Sequence, residues 1–163
     1  MHTEGSYLAG QLTRLLRMMR RELVDIPDES LNTELSVQPS NTLYQLGTHV
    51  AGSARFWSIS NTGGPDFHRD RNAEFIAAGS KIDLLADLDS LIDQINTHVT
   101  TLTSAQLDEP LTLAGASFSF WDDPNTLPQR HAVLHALEHT GLHLGHVQIT
   151  RQILGFAPPS VEE

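Results

Sequence analysis

The sequence predicts an all-α fold, a four-helix bundle with long connections between helices 2 and 3 and between helices 3 and 4. Three observations support this. Apolar residues recur at three- and four-residue steps in four separate segments. Proline or glycine stands beyond the end of three of these patterns. With 163 residues and no cysteine, the chain can bury a core as one domain, residues 1–163, without covalent staples.

The first helix is expected over residues 7–23. Leu8, Leu12, Leu15, Met19 and Leu23 form its stripe, and Pro27 lies just beyond its end. Arg14, Arg17, Arg20 and Arg21 lie between these apolar positions and read as a solvated face, with docking of an anion or a partner subunit as the alternative. The second helix is expected over 42–58, with Ser40 and Asn41 as N-cap candidates. Leu43, Leu46, Val50, Ala54 and Trp57 form its stripe, and His49 lies on the flank. The run Asn-Thr-Gly-Gly-Pro at 61–65 breaks the chain.

The third helix is expected over 80–102, where Ser80 and Asp83 resemble a capping box. Leu85, Leu88, Ile92, Ile95, Val99 and Leu102 form its stripe. The fourth is expected over 128–154, opened by Pro128 and stopped by Gly155 and Pro158-Pro159. At 1.5 Å per residue it would be roughly 40 Å long. Gly141 and Gly145 inside it suggest close approach by a neighbouring helix. The connection 59–79 is expected to hold a short helix near 73–78. In the connection 103–127, residues 111–113 and 117–121 alternate like short strands. Connections of this length are often functional, and the tail 158–163 reads as loose.

Composition narrows the function. A formal charge of −10 disfavours a nucleic-acid partner. No apolar run reaches the roughly 18 residues of a membrane span, and no signal segment is read at the N-terminus, so a cytoplasmic protein is expected. Without cysteine, disulfides and thiolate metal ligands are excluded.

Nine histidines are the unusual feature, and His131, His135, His139, His143 and His146 fall within sixteen residues. Four helical residues turn about 40° net, so His139 and His143 share a face, with His135 and His146 on the same stripe. Such a pair can place two imidazole nitrogens on one metal ion. A third ligand must then come from elsewhere, and His49 and His98 are the histidines within other helices. The plainer alternative is a set of imidazoles bonded to their neighbours. The stretch His-Thr-Gly-Leu-His at 139–143 lacks the glutamate of a zincin helix, which argues against a metalloprotease of that class.

The fourth-helix stretch LHALEHTGLHLGHVQITRQIL is similar to the C-terminal helix of the DinB/YfiT-like superfamily, with its His-x-x-x-His pair. The second-helix stretch LYQLGTHVAGSARFW resembles that family's second helix, in which a histidine precedes an aromatic end. The resemblance implies a DinB-type bundle holding one divalent metal, zinc or nickel, on His49, His139 and His143. It leaves His135 and His146 as pocket or supporting residues, with His135 the alternative ligand. Gln45, one turn before His49, could orient a ligand or a metal-bound water, and Glu138 would be structural.

Three neutral imidazoles with open coordination positions suit a catalytic site. The resemblance implies a transferase that activates a low-molecular-weight thiol of the mycothiol or bacillithiol type for attack on a small-molecule electrophile. Arg55 and Arg130 are the candidates for receiving an acidic group of either substrate. The alternatives are a metal-dependent hydrolase using metal-bound hydroxide, with His135 or His146 moving protons, and a non-enzymatic metal-bearing stress or ligand-binding protein. The resemblance also implies a homodimer.

Overall fold

The computed structural model describes residues 3–36, 40–111 and 127–160. The four expected helices are present as α1 (Glu4–Leu23), α3 (Leu43–Ser58), α5 (Lys81–His98) and α7 (Gln129–Ile153), with single turns α2 (Asp28–Leu31), α4 (Arg71–Glu74) and α6 (Ser104–Leu107) between them. The long helices close a ring: α1 packs on α7, α7 on α3, α3 on α5, and α5 on α1. Leu12, Leu16, Met19 and Leu23 of α1 meet Val50 of α3, Leu88, Leu91 and Ile95 of α5, and Ala132 and Val147 of α7 in one buried core. None of the described helices is long and apolar enough to cross a membrane.

Local chemistry sets the boundaries. Helix α1 begins three residues earlier than expected, because the Thr3 hydroxyl accepts the Ser6 N–H. Thr42, rather than Ser40 or Asn41, caps α3: its hydroxyl accepts the Gln45 N–H while the Gln45 side chain accepts the Thr42 N–H. Ser80 caps α5 as expected, but α5 ends at His98 and a 3₁₀ turn over Val99–Thr101 follows. The short helix of the 59–79 connection lies at Arg71–Glu74, earlier than expected, because the Asp70 side chain caps it.

The glycines of α7 do not mark close approach. Among the described residues, a Cβ on Gly141 would make only ordinary contact with Leu15, and one on Gly145 would meet nothing within 4 Å. Three of the arginines of α1 make local or inter-helix bonds, Arg14 to Gln11, Arg17 to Thr13 and Arg20 to Asp89 of α5. The strand-like alternation at 117–121, and most of that at 111–113, lies outside the described residues. At their border, Pro110 and Pro128 form an isolated bridge.

Candidate metal centre

Helices α3 and α7 form the most extensive pairing in the bundle, and His49 faces His139 and His143 across it. Each of the three offers a ring nitrogen, and these nitrogens lie within 4.8 Å of one another. His49 Nε2 stands 3.1 Å from His139 Nε2. Two nitrogens bound to one tetrahedral zinc at 2.0–2.1 Å would be about 3.3 Å apart. His143 stacks close to both, with ring centroids 4.4 Å from His139 and 4.7 Å from His49. Its Nδ1 lies 3.2 Å from Nδ1 of His146, which leaves Nε2 for the cluster.

The electrostatics suit a cation. Burial, reinforced by the neighbouring His143 and His49, holds His139 down to about 3. Burial first, then His49 and His146, holds His143 down to about 4. Both imidazoles are therefore neutral at pH 7 and carry the lone pairs that metal binding requires. His139 Nδ1 is buried and has no hydrogen-bond partner among the described residues. The donor set and its spacing fit a divalent ion.

His49 is held from behind by residues of the 59–79 connection. Its Nδ1 lies 2.8 Å from Glu74 Oε2. Arg69 grips the same carboxylate with two hydrogen bonds, Nε to Oε1 at 2.7 Å and Nη2 to Oε2 at 2.8 Å. Burial pushes the Glu74 carboxyl up, but the bonds from His49 and Arg69 outweigh it and hold the group below its ordinary value. Phe75 lies beside the His49 ring, with centroids 4.5 Å apart.

The family model described as the DinB superfamily matches residues 11–147. The chain belongs to the DinB superfamily. The crystal structure of a conserved protein of locus from Enterococcus faecalis shares the fold, with a TM-score of 0.68 at 14% identity, over 94% of this chain and 98% of that one. A search of curated proteins finds no significant match.

In this DinB chain the other candidate residues lie in varied settings. His135 stands against the edge of Trp57, with centroids 4.6 Å apart, and 5.7 Å from the His139 ring. His146 is exposed and bonded to His143. The Gln45 carbonyl is engaged in the α3 cap. Arg55 pairs with Asp87 at 2.7 Å and lines a cavity of about 860 Å³ that includes none of the three clustered histidines. Arg130 bonds Glu4 through Nε and Nη2 and also pairs with Asp108, tying α7 to α1. Glu138 is exposed. His98 bonds the hydroxyl and carbonyl of Thr62 and stands apart from the cluster.

Sequence reasoning missed Glu74, Arg69 and Gly52. A Cβ on Gly52 would come within 2.3 Å of Glu74 Oε1. A glycine one turn after His49, inside a helix where it weakens the ladder, was the available signal.

Proposed function

We propose that this protein is a metal-dependent transferase in which His49, His139 and His143 hold one zinc or nickel ion and a low-molecular-weight thiol is activated for attack on a small electrophile. The observation that carries this reading is the donor set: three imidazoles within 4.8 Å, two of them held neutral, with no protein carboxylate or thiolate among them. Such a set leaves coordination positions to substrate. A bound divalent ion supplies the charge that keeps a coordinated thiol deprotonated near neutral pH.

The chain's own residues supply the setting. With no cysteine present, the thiol is a separate substrate of the mycothiol or bacillithiol type. His146 accepts at Nδ1 from the Nδ1–H of His143 and so supports that ligand from the exposed rim, and the proton leaving the thiol passes to solvent there. Trp57 and His135 wall one side of His139. Arg55 and Arg130 are already paired with carboxylates, so a role in receiving an acidic substrate would need those pairs to open.

The reading extends to a cytoplasmic homodimer. Leu134, Leu142, Ile149 and Ile153 leave α7 with exposed apolar side chains, which supports α7 as the contact. Sedimentation velocity of Leu142→Glu is expected to show a monomer where the wild type is a dimer.

The function is tested on untagged protein. Mass spectrometry is expected to find one zinc or nickel per wild-type chain and none in His139→Ala. Conjugation of an electrophile should then require both metal and thiol. Hydrolysis that proceeds without thiol would replace this reading with a metal-hydroxide hydrolase. Loss of the metal result itself would remove both.

A further inference from the structure

The geometry points to Glu74 and Arg69 as positioning residues that set the tautomer and direction of His49, with Gly52 as the gap that admits them. The inference rests on the reading of His49 as a metal ligand. An ionised carboxylate only accepts hydrogen bonds. Glu74 Oε2, 2.8 Å from His49 Nδ1, therefore places the imidazole proton on Nδ1 and leaves the lone pair on Nε2. That is the nitrogen facing His139.

The carboxylate cannot swing away. Arg69 holds both of its oxygens in a two-point grip, a geometry that fixes orientation as well as position. His49, Glu74 and Arg69 expose only 3%, 7% and 13% of their side chains, so water does not compete effectively for these bonds. Helix α3 closes the other side. Gly52 lies three residues beyond His49, and its missing side chain leaves the space that Glu74 Oε1 occupies. Phe75 follows Glu74 directly and lies beside the His49 ring. One short segment, 69–75, therefore fixes the ring by hydrogen bonds and by contact.

Carboxylates that orient metal-bound histidines typically contribute about 10- to 100-fold in metal affinity. Chelator competition with zinc is expected to show a loss of that size for Glu74→Gln. Gly52→Ala should show a loss of the same kind although it alters neither partner, because the new methyl displaces the carboxylate. The double variant should be little weaker than either single variant, since both break one contact. Glu74→Asp should recover part of the affinity.

A role in folding alone would not move two further readouts. One is the visible spectrum of the cobalt-loaded protein, which is expected to change in Glu74→Gln. The other is the nitrogen NMR signature of His49 in metal-free protein, expected to show Nδ1–H in the wild type and a mixture in Glu74→Gln. Unchanged affinity, spectrum and tautomer in Glu74→Gln and Gly52→Ala would overturn the inference while leaving the metal site intact. If the wild type binds no metal, the functional reading fails. The metal-free tautomer comparison then still decides whether Glu74 positions His49.

Discussion

Two arginines of this bundle, one buried and one largely so, serve contrasting surroundings. Arg151 on α7 directs every N–H it has at an acceptor of the chain: Nε and Nη2 to the carbonyl of Ala157, Nη1 to the carbonyl of Glu22, and Nη1 and Nη2 to Asp25. Its neighbour Glu22 accepts from Gln148. The network is saturated, and it binds α7 to the end of α1 and to the chain beyond α7. Arg69 is nearly as buried and also grips a glutamate, but its network runs on through Glu74 and His49 to His139, whose Nδ1 has no partner among the described residues. A buried polar cluster that ends in its own acceptors is architecture. One that ends in three convergent imidazole nitrogens, all within 4.8 Å of one another, is arranged to receive a ligand.

The largest effect should come from breaking the saturated network. Arg151→Ala leaves the buried Glu22 carboxylate without the cation 3.8 Å away, and removal of one partner from a buried ion pair typically costs about 3–5 kcal/mol. For a chain of this size that corresponds to a fall of roughly 10 °C in Tm by thermal denaturation. Zinc bound per folded molecule should not change. A variant that kept its Tm and lost metal would reverse the assignment of the two networks.

Completing the open network should give the next largest effect. Zinc at about 100 times its Kd should stabilise the protein by about 2.7 kcal/mol, seen as a rise in Tm that His139→Leu does not show. In the metal-free state His139→Leu should be at least as stable as the wild type. It removes a buried polar atom without a partner, a defect that typically costs about 1–3 kcal/mol. A metal-free His139→Leu that melts well below the wild type would mean that His139 is a packing residue.

The contrast also explains what could be read from sequence. The four long helices and the shared face of His139 and His143 follow from local periodicity, which any stretch of chain displays by itself. Of the caps, Ser80 of α5 follows from the sequence, whereas at α3 the sequence points to Ser40 and Asn41 and the cap is Thr42, which with Gln45 forms a Thr-x-x-Gln box. Glu74 and Arg69 were not legible. They sit 25 and 20 residues from His49 in a connection with no apolar repeat, so only the folded chain brings them to it. The same limit applies to Arg55 and Arg130. A basic residue near a site reads as free for substrate until the fold supplies Asp87, Glu4 and Asp108 from other elements.

The smallest effect should separate the networks by pH. A hydrogen bond from Arg151, opposed by burial and helped by its charge, holds the Asp25 carboxyl below its ordinary range. A carboxyl whose folded pKa is depressed contributes its stability above the unfolded value, near 3.9, and loses it as the pH falls through the folded one. Asp25 is half exposed, so solvent screening limits the contribution to less than about 1 kcal/mol. Asp25→Asn should therefore melt slightly below the wild type at pH 7 and converge with it as the pH falls below the ordinary carboxylate range and through the depressed folded value. The imidazoles act earlier. His139, held down to about 3 by burial and its neighbours, takes up its proton more readily in the unfolded chain once the pH drops below about 6.5, so the metal-free protein loses stability there first. His139→Leu should flatten the acid limb between pH 6.5 and 4, where Asp25→Asn still runs parallel to the wild type. A gap between Asp25→Asn and the wild type that persisted undiminished to the acid end of the titration would show that Asp25 acts through packing rather than charge.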